Sequence, residues 1–127
     1  MVGSTGATVV VVEDDPSMRE AIERLLRTAG FGCATYDSAD ALLAQGLERN
    51  SGCVISDLKL PGMSGLELIA ALRERRIALP FILITAHDAP GLRERAIAHG
   101  ATAYLAKPFR GTALLAAVRG VLEAPSP

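Results

Sequence analysis

An open, doubly wound α/β fold, with one parallel sheet covered by helices on both faces, is what this 127-residue chain predicts. Three observations carry that expectation. Short apolar runs recur along the chain, each is followed by a stretch whose apolar residues have helical spacing, and Gly or Pro punctuates the junctions. Runs of β-branched residues without polar alternation suit strands covered on both faces, and strand–helix alternation joins such strands in parallel by right-handed crossovers. Half of the residues are hydrophobic, enough for one core. A single domain is therefore expected over residues 8–123, with residues 1–7 as a flexible leader and 124–127 as a tail.

Thr8 to Val12 reads as the first strand, a continuous β-branched run. Glu13-Asp14-Asp15-Pro16 breaks it, and Met18, Ile22, Leu25, Leu26 and Ala29 then share a helical face that stops at Gly30. Gly32 to Tyr36 is a second strand. Ser38 opens a helix through Leu42, Leu43 and Leu47, ending near Asn50-Ser51-Gly52. Cys53 to Ser56 forms the third strand and delivers Asp57 to its tip, where Pro61 and Gly62 prevent continuation.

Ser64 and Glu67 have the spacing of a capping box at the start of a third helix, with Leu66, Ile69, Ala70 and Leu72 inward. Phe81 to Thr85 is the fourth strand. A helix from about Pro90 to His99 follows, its apolar stripe thin: Leu92, Ala96 and Ile97. Gly100 ends it. Ala101 to Leu105 is a short fifth strand, Lys107-Pro108-Phe109 a turn, and Thr112 to Leu122 the last helix, which the Pro-containing tail cannot extend.

The net charge of −1 offers no general attraction for nucleic acid or an acidic membrane surface. No apolar run approaches the ~18 residues of a membrane span and no signal-type start is present, so a soluble, cytoplasmic protein is expected. Cys33 and Cys53 read as buried, reduced thiols; with His87 and His99 in unrelated contexts, no zinc-binding spacing arises.

Alternation alone leaves the strand order open. The order 2-1-3-4-5 is that of five-stranded flavodoxin-like sheets, and any open sheet of this kind carries its ligand site beyond the carboxyl ends of its strands. In that order Glu13, Asp14 and Asp15 after strand 1, Asp57 after strand 3, Thr85 after strand 4 and Lys107 after strand 5 converge. Clustered carboxylates repel, which a bound cation relieves. Mg²⁺ suits a shallow all-oxygen site completed by water and phosphate oxygens. Asp14 and Asp57 are the candidate direct ligands, Glu13 acts through water, and the backbone carbonyl of Lys59 supplies a further oxygen. Thr85 and Lys107 match phosphoryl oxygens by a hydroxyl and an ammonium donor, and Asp57 is a carboxylate nucleophile.

These motifs, taken together, resemble the receiver domain of two-component response regulators. The likeness rests on the acidic cluster, Asp57 in Ser-Asp-Leu-Lys-Leu-Pro-Gly-Met-Ser-Gly, Thr85-Ala86, and Tyr104 with Lys107-Pro108-Phe109, and it spans residues 8 to 122. It implies that Asp57 takes a phosphoryl group from a partner sensor histidine kinase, in a domain that is not an enzyme in the usual sense but assists its own phosphorylation and dephosphorylation. It implies further that Glu13 and Asp14 serve magnesium and that Thr85, Ala86 and Lys107 contact the phosphate. Tyr104 is then the switch aromatic, turning inward as Thr85 moves, and Lys107-Pro108 is a cis bond. Lys59 and His87 stand where the family tunes phosphoryl lifetime, and equally read as solvated surface residues. Glu13 replaces the family's commoner Asp, and Asp15 falls outside its acidic pair, either as a solvated neighbour or as a sharer of the metal role.

By the same resemblance the face formed by helix 4, strand 5 and helix 5 switches and can pair two copies. Arg93 and Arg95 on helix 4 can meet acids of a second subunit or simply form a solvated face. The output is either that of a single-domain regulator or that of an absent effector controlling transcription; nothing within the chain reads as DNA-binding. Two other classes fit less well. A phosphatase of the haloacid dehalogenase type has a second Asp where this chain has Lys59, and a flavin or nucleotide binder needs a phosphate-cradling loop where Glu13-Asp14-Asp15 stand.

Overall fold

The computed structural model describes residues 7–123, so the expected tail and all of the expected leader except Ala7 lie outside the described residues. Five strands alternate with five helices: β1 (Thr8–Val12), α1 (Pro16–Thr28), β2 (Gly32–Tyr36), α2 (Ala39–Gln45), β3 (Ser51–Asp57), α3 (Gly65–Glu74), β4 (Phe81–Thr85), α4 (Leu92–His99), β5 (Ala103–Ala106) and α5 (Gly111–Glu123). All strand pairs are parallel, in the order β2-β1-β3-β4-β5.

Each central strand sends alternate residues to two cores. Val9, Val11, Cys53, Ile55, Ile82 and Ile84 pack with Ile22 and Leu26 of α1 and Leu114 and Val118 of α5. On the opposite face Val10, Val12, Val54, Phe81, Leu83 and Tyr104 meet α2, α3 and α4 through Leu42, Leu66, Leu68, Ile69, Leu72, Leu92 and Ala96. Each fully buried Val, Leu or Ile contributes about 1.5–3 kcal/mol. Two-sided burial is thus what holds the strand tips in register.

Several boundaries differ from those expected. Helix α2 stops at Gln45 because Gly46 takes φ +82°, a left-handed conformation suited to glycine, and its N–H closes on Leu42 O at 2.8 Å. Leu47 still packs, but from the loop. Strand β3 begins at Ser51 rather than Cys53, since Ser51 pairs with Thr8 and Cys53 with Val9, leaving Gly52 as an irregularity. Helix α4 begins at Leu92, after a left-handed Gly91, not at Pro90. Strand β5 begins at Ala103, because the Ala101 N–H is used to close α4 on Ala96 O.

Two residues expected inward face solvent. Ala70, at the edge of the Leu66, Ile69 and Leu72 stripe, is exposed, with Leu68 buried instead, and Ile97 is 47 % exposed because Leu92 and Ala96, one turn apart, fill the seam. Cys33, on edge strand β2, is only partly buried, unlike Cys53. Among the described residues no helix is long and apolar enough to cross a membrane.

Candidate functional site

Because β1, β3, β4 and β5 are neighbours, their carboxyl ends form one rim. Val12 pairs with Ser56 and Asp57 with Ile84, so the acids after β1 stand beside the tip of β3 and Thr85 lies one residue beyond Asp57's partner. The Lys107 N–H donates to Thr85 O at 2.7 Å, which sets Lys107 against the end of β4.

Three carboxylates gather there. Glu13, Asp14 and Asp57 bring ligand oxygens within 4.8 Å of one another, with Glu13 and Asp57 buried and Asp14 exposed. The Lys107 ammonium donates to Asp57 Oδ2 at 2.9 Å and to Glu13 Oε1 at 3.1 Å. The other Asp57 oxygen, Oδ1, accepts the Lys59 N–H at 3.3 Å, and the other Glu13 oxygen accepts the Asp15 N–H at 3.2 Å. Lys59 itself is exposed. The Lys107–Pro108 peptide bond is cis.

Electrostatics follow from that packing. Burial pushes the Glu13 carboxyl above its usual range, and the Asp57 charge pushes the same way against the opposing pull of Lys107 and the Asp15 N–H. Burial by itself lowers Lys107, but its hydrogen bonds and charge contacts with Asp57 and Glu13 outweigh that, and the ammonium is held above its ordinary value. The rim is therefore a charged pocket with one fixed cation set among acids.

Asp15 is diverted to a different task. Its carboxylate accepts the Ser17 N–H at 3.0 Å as the N-cap of α1, with Pro16 at the first helical position. The loop is further held by Arg19, whose Nη1 donates to Glu13 O at 2.9 Å. Sequence reasoning missed Arg19, which had no signal beyond its place on the first helical turns.

The loop after Asp57 is seated by Gly65. A Cβ there would lie 2.5 Å from Asp57 O and 2.8 Å from Leu83 Cδ1, so only glycine lets α3 start directly on the strand tip. The Gly65 N–H donates to Leu58 O at 2.9 Å, and the Ser64–Glu67 capping box is complete. A glycine inside a capping box, where a better helix former is free to stand, was the available signal.

Thr85 is fully buried at the end of β4, its Oγ1 accepting the His87 N–H at 2.9 Å; Ala86 and His87 are exposed. Tyr104 is buried, and its hydroxyl donates to Asp88 Oδ1 at 2.5 Å. The Arg93 guanidinium lies 5.0 Å from the ring centroid, so Arg93 is engaged with Tyr104 rather than merely solvated. Asp88 was invisible in the sequence, being one acid in an exposed loop.

Both thiols stand apart from this rim, in β2 and β3. Burial pushes Cys53 up to about 12, and burial together with Glu23 pushes Cys33 up to about 11. Both are thereby held in the protonated form at neutral pH.

Comparison with known proteins places this arrangement in context. Residues 9–119 match the response regulator receiver domain family. The C4-dicarboxylate transport transcriptional regulatory protein DctD of Pseudomonas aeruginosa is 41 % identical over 115 residues, 91 % of this chain and 25 % of that protein. The transcriptional regulatory protein FixJ of Azorhizobium caulinodans is 38 % identical over 114 residues, 90 % of this chain and 54 % of that protein. Among solved structures, the response regulator StyR superposes with a TM-score of 0.85 at 41 % identity, covering 92 % of this chain and 59 % of that one. This chain thus spans between a quarter and about three fifths of the length of these relatives.

Proposed function

The chain belongs to the response regulator receiver domain family, and on that footing we propose that Asp57 is the residue that accepts a phosphoryl group, from the phosphohistidine of a sensor kinase. In the transfer, Asp57 forms an O–P bond as the donor's N–P bond breaks, and the leaving nitrogen departs as neutral imidazole when its other ring nitrogen carries a proton. The observation that carries this reading is Lys107, whose ammonium touches the Asp57 and Glu13 carboxylates next to Asp14.

Glu13, Asp14 and Asp57 fit a hard divalent cation, because their oxygens converge within the span of one ion and Asp14 is open to solvent. Mg²⁺ is the candidate, with the Lys59 carbonyl as a further oxygen; bound there it would neutralise phosphoryl charge. Lys107 offers charge-assisted donors to the incoming group, Thr85 a hydroxyl, and Ala86, exposed directly after Thr85, a backbone contact. By supplying these donors the domain assists its own phosphorylation and dephosphorylation.

The modified Asp57 then biases the packing of Thr85 and Tyr104 and with them the α4–β5–α5 face, which pairs with a second copy or a partner. Ile97, exposed on α4, supports that face as a contact surface. An apolar groove between α1 and α5, lined by Met18, Leu25, Pro108 and Phe109, gives the kinase a place to dock next to Lys107. The reading places the protein in the cytoplasm, with a transcriptional output like that of the regulators it resembles.

The test is phosphorylation of the purified chain by acetyl phosphate with Mg²⁺, followed by intact-mass measurement. One phosphoryl group per chain is expected, lost in Asp57→Asn and on chelation of the metal. Undiminished labelling of Asp57→Asn would overturn the assignment.

A further inference from the structure

Tyr104 is held at two points by a single segment. The β4–α4 loop supplies Asp88, whose carboxylate takes the hydroxyl at 2.5 Å, and the adjoining α4 supplies Arg93, which lies over the ring and approaches Tyr104 O at 3.5 Å. A bond that short between a hydroxyl and a carboxylate is charge-assisted and among the stronger ones available to a side chain. The same loop is tied to Thr85 at its other end, because the Thr85 Oγ1 accepts the His87 N–H at 2.9 Å. The two ties are borne by adjacent residues, His87 and Asp88. Thr85 and Tyr104 are therefore joined by a short bonded path: Thr85 hydroxyl, His87 N–H, one peptide unit, Asp88 carboxylate, Tyr104 hydroxyl.

We propose that Asp88 is a positioning residue that couples Tyr104 to Thr85, so that any shift of the Thr85 hydroxyl is transmitted through residues 85–88 to the Tyr104 ring and to Arg93 on α4. The inference rests on the reading that Thr85 responds to a phosphoryl group on Asp57, and it adds the element that carries the response away from the site. Thr85 keeps its own O–H free to donate while its oxygen accepts from His87, so both contacts coexist. If the hydroxyl moves towards Asp57, the His87 N–H follows or loses its acceptor. Asp88, one residue on, then draws the Tyr104 hydroxyl or parts from it. Burial and the Asp88 bond keep that hydroxyl protonated, with its pKa pushed up to about 12, so the donor is present at all physiological pH values. Arg93, bonded to no acid among the described interactions, moves with α4 and presents the change at the surface.

The experiment uses the whole chain with beryllofluoride and Mg²⁺ as the probe and nuclear magnetic resonance as the readout, following the Thr85 methyl, the Tyr104 ring and the Arg93 Nε–H. In the parent chain all three should shift together. In Asp88→Ala the Thr85 methyl should shift as before at the same probe concentration, while most of the Tyr104 and Arg93 response is lost. Asp88→Asn, which retains an acceptor oxygen, should restore much of it. Tyr104→Phe should reproduce the Arg93 loss, and the double variant should lose no more than either single one. A Tyr104 and Arg93 response unchanged in Asp88→Ala would overturn the proposal. A Thr85 methyl that fails to move in the parent chain would instead defeat the reading of the site itself, and this inference with it.

Discussion

Lys107 Nζ lies 2.9 Å from Asp57 Oδ2, joining residues fifty positions apart, and the same ammonium reaches Glu13 at 3.1 Å. Removing the cation leaves Glu13, 1 % exposed, with the Asp15 N–H as its remaining bond. Lys107→Met is expected to lower stability by about 1.5–3 kcal/mol, the range for losing hydrogen bonds to charged groups. Urea unfolding checks it.

The same variant carries a signed pH dependence. Lys107 has a folded value raised above 10.5, so its contribution is complete below that pH and is lost as pH rises through the folded value. Glu13 is raised above 4.5, so the penalty of ionising it is absent below that pH and grows as pH rises through the folded value. The deficit of Lys107→Met should therefore be widest near neutrality and narrow on both sides. A deficit as wide at pH 4.5 and at pH values above 10.5 as it is at neutrality would contradict the ion-pair geometry.

Asp14 and Asp15 should separate cleanly. Asp15→Ala removes the α1 N-cap and should cost about 1 kcal/mol in thermal or urea unfolding while leaving Mg²⁺ affinity close to that of the parent. Asp14→Ala, an exposed member of the carboxylate group, should do the reverse. Calorimetric titration with Mg²⁺ beside unfolding curves distinguishes the two patterns.

Gly65→Ala places a methyl 2.5 Å from a backbone carbonyl at the tip of β3, which no rotamer change relieves. Overpacking of this kind costs about 1–3 kcal/mol. The expected outcome is lowered stability together with slower labelling of Asp57, since α3 must back away from the loop that carries it. Labelling at the parent rate in a destabilised protein would show that α3 does not seat the acceptor.

At alkaline pH the thiols should add their own loss of stability. Cys53 and Cys33 have folded values raised from 9.0 to about 12 and about 11, so the folded state holds protons that the unfolded chain releases. Stability should fall as pH rises above 9.0, and Cys53→Ala, although less stable at neutral pH for the cavity it opens, should lose stability less steeply. The slope of unfolding free energy against pH is the measurement.

How much of this was readable beforehand divides by range. The strands around Val9 to Val12 and Phe81 to Thr85, the capping box at Ser64 and Glu67, and the stop at Gly30 are written in residues close together, where periodicity and turn chemistry act. The placement of Glu13, Asp14, Asp57, Thr85 and Lys107 on one rim followed once strand ends were combined with a known sheet order. Boundaries slipped where a backbone conformation decided them, as at Gly46 and Gly91.

The sequence by itself determined the alternation of elements, the residue types at each strand end and the charge those ends bring together, because these depend on local patterning and on parallel pairing. Tertiary structure alone decided which oxygen Lys107 meets, that Asp15 caps α1 rather than joining its neighbours, that Gly65 admits α3 to the tip of β3, and that Asp88 holds Tyr104. The physical reason is that side-chain contacts of this kind turn on the relative placement of elements to within an ångström or so. Such placement is the joint product of two packed cores, and no short stretch of chain encodes it.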